Sequence, residues 1–292
     1  MSTTIGFIGM GIMGSRMSRN LLDQGFPVHV YNRTANRCLP LVEAGAVRAD
    51  TPADLGEQAE VVVTMLTGPE AVDSVLFGED GLFSRNPHAR VLVNMSSVPP
   101  AYSAELAEKV AARGMEFVDA PVSGSRKPAE EGTLVILASG PKAVADALES
   151  MFAAMGKKTV YCGEAGKGSA MKMAVNHLLG SMMLGLSESL NFARKCGLPA
   201  ELFLGAVSGG PLNCGLFELK YDMLESGEYP AQFPLKHMLK DLRFMAETAD
   251  EYGAAVPFGR AAFETYRYAM GKGMGDDDFA AVHRVFEVLN DD

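Results

Sequence analysis

Lys172 and Asn176 lie four residues apart near the start of a long stretch of helical periodicity, so one helix face carries both. Lys236 and Lys240 repeat that spacing later in the chain, with Asp241 beside the second. Two ammonium groups on one face repel unless a carboxylate or a bound anion lies between them, and Asp241 or a ligand would meet that need. A lysine next to a carbonyl substrate can polarise the oxygen and then protonate the alkoxide that hydride addition generates. Asn176 is spaced to hold either the lysine or the substrate oxygen. In Ala120-Pro121-Val122-Ser123-Gly124, the Ser123 hydroxyl and the N–H groups around Gly124 suit a carboxylate. The plainer readings are a solvated lysine at a helix start and an ordinary Pro/Gly turn. Nucleophilic Ser-His-Asp chemistry is not supported, because no serine sits in a Gly-x-Ser-x-Gly elbow. His29, His88 and His283 read as surface or structural residues, and His177 and His237 fall near the candidate set without a defined role.

A lysine proton donor of this kind needs a hydride source, and the N-terminus supplies one. Gly6-Phe7-Ile8-Gly9-Met10-Gly11-Ile12-Met13-Gly14 follows an apolar run and leads into a helical pattern over 15–24, then a second strand, Val28-His29-Val30-Tyr31. This is a strand–turn–helix–strand unit of the dinucleotide-binding kind. Gly9 makes the tight turn, Gly11 lets the backbone approach a pyrophosphate, and Gly14 allows close helix–strand packing. The backbone of Met10, Ile12 and Met13 completes the turn, and the pyrophosphate is expected at the N-terminus of the following helix. At the end of the second strand stands Asn32-Arg33-Thr34, where an NAD-specific fold usually carries Asp or Glu. Arg33 offers a planar fork of donors to a 2′-phosphate and no carboxylate repels it, so NADP(H) is the expected cofactor. Arg37, one turn on, reads either as a helper at the phosphate or as a plain surface residue.

These groups must be positioned by two kinds of domain. Apolar runs at 61–66, 90–94, 116–119, 134–138 and 159–161 alternate with helical patterns. Continuous apolar runs suit strands buried on both faces, and the alternation implies a doubly wound, mostly parallel sheet whose last members add antiparallel edges. Ligands bind such sheets beyond the carboxyl ends of the strands, which assigns Met65 and Leu66 to the cofactor and marks the loop around Ser97. The α/β Rossmann domain is expected over 1–163 and an all-α domain for substrate binding and oligomerisation over 164–292, joined by a long helix over 169–195 of about 40 Å. A cleft is expected at that junction. Later helices are expected over 200–207, 216–224, 235–252, 258–271 and 279–289. Gly180 and Gly185 weaken the long helix and are expected where another helix packs closely, from this chain or a second subunit.

A net charge of −10 argues against nucleic acid as a partner, and an anionic substrate would need a local cationic pocket. Cys38, Cys162, Cys196 and Cys214 show no metal-ligand spacing, so no metal is expected, and reduced thiols in a cytoplasm fit best. The first apolar run is a strand and turn rather than a signal peptide, and the apolar stretch 171–190 carries Lys172, Asn176, His177 and Glu188, so no membrane span is expected.

Taken together, the motifs resemble those of the β-hydroxyacid dehydrogenase family, which includes 3-hydroxyisobutyrate and 6-phosphogluconate dehydrogenases. The resemblance covers essentially the whole chain. It rests on the glycine turn 6–14, on Asp119-Ala120-Pro121-Val122-Ser123-Gly124, on 163–176 from Gly163 to Asn176, and on Lys236-His237-Met238-Leu239-Lys240-Asp241. It implies that Lys172 is the catalytic acid/base and that Asn176 is its neighbour in the substrate site. It places Ser123 and Gly124 on the substrate carboxylate, Lys240 near the nicotinamide, and Asp241 as the group that orients the lysines. Ser97 stands for a threonine near cofactor and substrate, and Asn94 stands where an aspartate is commoner. Ser123-Gly124-Ser125-Arg126-Lys127-Pro128-Ala129 and Phe233-Pro234-Leu235-Lys236-His237 further resemble the glyoxylate/succinic semialdehyde reductase branch, which implies Phe233 in the substrate pocket and reduction of short aldehyde acids with NADPH. A 3-hydroxyisobutyrate or tartronate semialdehyde activity is the alternative within the family. A non-catalytic NADP(H)-binding interaction module is the alternative outside it. A homodimer or homotetramer is expected.

Overall fold

The computed structural model describes residues 3–291. Its chain divides into two compact units, Met1–Lys172 and Met173–Asp292.

The first unit is built on β1 (Ile5–Ile8), β2 (Val28–Tyr31), β3 (Val47–Arg48), β4 (Val61–Thr64), β5 (Val91–Asn94) and β6 (Glu116–Asp119). These form one sheet in the order β3-β2-β1-β4-β5-β6, with every neighbour parallel. The order reverses beside β1, so the loops after β1 and β4 diverge and leave a crevice beyond the strand ends. Successive residues of the central strands feed two separate cores. Phe7, Val63, Val93 and Val118 pack on one face. Ile8, Val62, Leu92 and Phe117 pack on the other. That alternation follows from the two-residue period of a strand, and it explains why these runs read as continuously apolar. A second sheet follows, with β7 (Val122–Ser123) antiparallel to β8 (Leu134–Ala138) and β8 parallel to β9 (Gly156–Tyr161). The last expected members, 134–138 and 159–161, thus leave the main sheet and run parallel to each other; the antiparallel strand is β7, a segment not expected as a strand.

A helix over Lys167–Lys195 leaves this sheet and runs on through the boundary at Lys172. The second unit is otherwise helical, with Ala200–Ser208, Gly215–Glu218, Tyr221–Ser226, Leu235–Tyr252, Pro257–Gly271 and His283–Asp291. Its core joins Met183, Leu186 and Leu190 of the long helix to Leu235, Met238 and Leu242 and to Tyr266 and Phe279. Of the two helix-interior glycines, only Gly180 serves close packing here. A Cβ there would lie 3.2 Å from Met238 Sδ and 3.3 Å from Leu242, whereas one on Gly185 would meet nothing within 4 Å. The helix expected over 216–224 is broken at Lys220, whose ammonium turns inward to Asp278 at 2.7 Å. The last expected helix begins as a 3-10 turn, Phe279–Val282, because the Asp278 carboxylate caps Ala280 N.

Candidate active site

In the first unit the candidate cofactor residues gather beyond the carboxyl ends of β1, β2 and β4. Gly9 turns the chain with φ +109°, and a Cβ on Gly14 would sit 1.9 Å from the Gly9 carbonyl oxygen, so the helix Gly14–Asp23 starts hard against the turn. No side chain caps that helix and its first turn holds no acidic residue, which leaves its positive end suited to a pyrophosphate. Space is open at Gly11, where a Cβ would meet nothing within 4 Å. Asn32 ties the turn to β2. Its Oδ1 accepts from Met10 N at 2.9 Å, and its Nδ2 donates to the Thr34 carbonyl at 2.9 Å. Ile12 and Arg33 are exposed and Met13, Met65, Leu66 and Ser97 are half-buried. Leu66 N donates to Ser96 Oγ at 2.9 Å, which fixes the loop after β4 against the one after β5. These residues fit a dinucleotide.

A pocket lined in part by Asn32, Arg33, Ala35 and Arg48 opens at the end of β2. Arg48, at the end of β3, also lines it and adds a second basic residue, and Asp50 pairs with it at 2.6 Å. Sequence reading missed Arg48 because β3 is two exposed residues with no apolar pattern. Arg37 lies on the exposed turn Ala35–Cys38.

The candidate substrate residues of the first unit sit around Lys172. Its side chain is buried, with the residue 7% exposed, and Nζ donates to the Val122 carbonyl at 2.7 Å. Ser123 and Gly124 follow directly in the chain, Ser123 half-buried and Gly124 exposed. Asp119, whose motif suggests no role for it from sequence, is buried at the end of β6 and accepts from Ser169 N at 2.8 Å and from Ser169 Oγ at 2.9 Å. Burial pushes its carboxyl up to about 6, against the pull of those bonds. Asn94 is buried as well; its Oδ1 accepts from the Thr64 hydroxyl at 2.9 Å and from Ser96 N at 3.2 Å. It thus joins the ends of β4 and β5 without a charge.

In the second unit Asn176 and Asp241 are both buried and bonded to each other at 2.5 Å. Lys240 Nζ lies 3.0 Å from the other oxygen of that carboxylate. Lys236 is instead paired outward with Asp276, so the two lysines of this helix part company. Phe233 stacks on His237 with ring centroids 6.4 Å apart, and its N–H is held by Asp278 Oδ2 at 3.0 Å. Burial first, and then the Lys240 charge, hold the His237 ring below its ordinary pKa, so it is neutral at pH 7. His177 packs on Gly259 away from any of these contacts. Among the described residues no cluster of His, Cys, Asp and Glu could hold a metal ion, and no helix is long and apolar enough to cross a membrane.

Comparison with known proteins decides the family. Residues 4–163 match the model of the NAD-binding domain of 6-phosphogluconate dehydrogenase, and residues 166–286 match that of the NAD-binding region of NADP-dependent 3-hydroxyisobutyrate dehydrogenase. The chain belongs to the β-hydroxyacid dehydrogenase family. It is 40% identical to glyoxylate/succinic semialdehyde reductase 1 of Arabidopsis thaliana, over 95% of this chain and 96% of that one. It is also 33% identical to the human cytokine-like nuclear factor N-PAC, over 97% of this chain but only 51% of the relative. Among solved structures, Mycobacterium tuberculosis 3-hydroxyisobutyrate dehydrogenase with L-serine superposes with a TM-score of 0.86 at 26% identity, over 99% of each chain. As a member of this family the protein is an NADP-dependent oxidoreductase acting on CH–OH groups, and NADP(H) is its cofactor.

Proposed function

We propose that this oxidoreductase reduces short aldehyde acids, succinic semialdehyde and glyoxylate, to 4-hydroxybutyrate and glycolate, with Lys172 as the proton donor. NADPH, when bound, supplies the hydride. The observation that carries the reading is the buried Lys172, its ammonium turned onto the Val122 carbonyl immediately before Ser123-Gly124. A substrate carboxylate taken by the Ser123 hydroxyl and the N–H groups around Gly124 brings its aldehyde oxygen to that ammonium. Lys172 then polarises the oxygen and gives it a proton as charge develops. Asn176 stands one turn further along the same helix and is assigned to the substrate oxygen. Lys240 is assigned to the nicotinamide end of the cofactor, with Asp241 orienting it, and Phe233 and Ser97 to the pocket wall. The similarity to the Arabidopsis reductase supports the choice of substrate class.

The similarity to N-PAC, named as a nuclear factor rather than a reductase, supports a non-catalytic NADP(H)-binding role as the second reading. Lys172, Asn176 and Lys240 are all present here, which favours catalysis. Exposed Leu178, Phe192, Leu202 and Leu212 on the second unit support a homo-oligomer, and the four free thiols are consistent with a cytoplasmic protein. The deciding experiment is NADPH oxidation, followed at its near-ultraviolet band, with succinic semialdehyde, glyoxylate, methylmalonate semialdehyde and tartronate semialdehyde. Highest efficiency on either of the first two supports the proposal. Highest efficiency on a branched or hydroxylated semialdehyde replaces the substrate class, and no turnover with any of them favours the binding role.

A further inference from the structure

Three hydrogen bonds at two points tie the same pair of segments together in the first unit. Asp119 takes Ser169, and three residues further along each segment Val122 takes Lys172. The long helix opens at Lys167, so the N–H groups of Gly168 and Ser169 have no partner within the helix itself. Gly168 N donates to Ser139 Oγ at 2.9 Å, and that hydroxyl donates to Asp119 Oδ2 at 3.2 Å. Ser169 N reaches the same Oδ2, and Ser169 Oγ reaches Oδ1. The backbone fit is equally close, since a Cβ on Gly168 would lie 2.4 Å from the Leu137 carbonyl oxygen and 2.9 Å from that of Asp119. One buried carboxylate therefore holds the first turn of the helix onto the ends of β6 and β8. The segment running on from that carboxylate carries the carbonyl that receives Lys172.

We propose that Asp119 is a positioning residue for Lys172, its ionised carboxylate clamping the start of the long helix so that the lysine ammonium is held at the Val122–Gly124 segment. The inference rests on the reading of Lys172 as proton donor. An ionised carboxylate accepts all three donors. A protonated one must turn one oxygen into a donor, and the bonds that remain lose their charge assistance. The groups facing Asp119 are the hydroxyls of Ser103, Ser139 and Ser169 and the thiol of Cys162, which burial and the Asp119 charge push up. None of them is a cation, so nothing among them restores the lost charge assistance, and the clamp is weakened and opens more readily when Asp119 takes a proton. Its carboxyl sits at about 6, which puts that opening within reach of assay.

The test is the pH dependence of kcat for Asp119→Asn and Ser169→Ala beside the unsubstituted enzyme and Lys172→Ala, with NADPH and the best semialdehyde. The unsubstituted enzyme is expected to lose turnover on the acid side around pH 6. Asp119→Asn, a mimic of the protonated clamp, is expected to show kcat lowered about tenfold or more at pH 7.5, KM for NADPH within about twofold, and no acid limb near 6. Ser169→Ala keeps the charge but removes one bond to it, so its limb is expected at higher pH with a smaller loss of kcat; this variant keeps the test open if Asp119→Asn does not fold. An acid limb unchanged in both variants, or a loss of stability with kcat and its pH profile intact, overturns the proposal. If Lys172→Ala retains turnover, it is the proton-donor reading that fails. If Lys172→Ala is inactive while the acid limb stays unchanged in the other two, only the positioning role fails.

Discussion

Asn176 donates from Nδ2 to Oδ2 of Asp241 at 2.5 Å, and the other oxygen of that carboxylate lies 3.0 Å from Lys240 Nζ. Asp241 is therefore the shared partner of two residues assigned to the site, and at 2% exposed it has given up nearly all its water to reach them. Removing one member of such a pair strands the others. Asp241→Ala is expected to cost about 2 kcal/mol of stability, seen as a lower urea midpoint with an unchanged m-value. Asp241→Asn, which keeps an acceptor for Asn176, is expected to lose less. Equal losses in the two variants would mean that the Asn176 bond contributes nothing measurable.

The pocket at the end of β2 yields a prediction about cofactor choice. Arg33 and Arg48 both line it, and Arg48 is already held by Asp50. A charge-assisted bond to the 2′-phosphate is worth about 1.5–3 kcal/mol, so Arg33→Asp is expected to raise KM for NADPH about tenfold to a hundredfold and to improve NADH relative to it. Arg48→Ala is expected to weaken NADPH by a smaller factor and leave NADH unchanged. A loss with both cofactors would place Arg48 in folding rather than in phosphate recognition.

Local pattern made some of these features legible and distance hid the rest. The glycine turn 6–14 is contiguous, and the helix expected over 235–252 is found as Leu235–Tyr252, because its apolar face repeats at helical spacing. The same reading ran the helix through Lys220, since nothing near that residue announces a buried partner at Asp278. Asp119 was visible in its motif, but Ser169 is 50 residues away, and only the fold shows that they meet. Arg48 had no pattern to betray it, and Asn94 could be noted as a departure from the family's aspartate but not explained. In the fold it takes the hydroxyl and N–H donors that a buried carboxylate would also accept, and it does so uncharged.

Lys172 gives the third prediction. Proton transfer by a positioned side chain contributes about 10²–10⁴ in rate, so Lys172→Ala is expected to lower kcat by that factor while NADPH, which we assign to the glycine turn and the β2 loop, is retained. Fluorescence titration of NADPH checks the second half. Lys172→Arg is expected to stay inactive, because a guanidinium keeps its charge but does not release a proton near neutral pH. Rescue by arginine would show that a fixed positive charge is enough, and would remove the general-acid step.

Asp119 should also leave a mark on stability, opposite in sign to its effect on turnover. Its carboxyl is raised by burial to about 6 from an ordinary value of 3.8, so between those values the folded chain binds a proton that the unfolded chain does not. Stability contributed at this site therefore rises as pH falls from 7 through 6, and the penalty for burying the charge is complete only above 6. Lowering pH from 7 to 5 is expected to return about 1 kcal/mol there. His29, His237 and His283 act the other way, since burial lowers all three and the folded chain loses stability as pH falls through 6.5. Comparing variants removes their contribution. Asp119→Asn has no proton to gain, so it is expected to be more destabilised relative to the unsubstituted protein at pH 5 than at pH 7, by about 1 kcal/mol in urea unfolding. A difference that is the same at both pH values would mean that Asp119 titrates at its ordinary value, and the opening of the clamp near pH 6 would go with it.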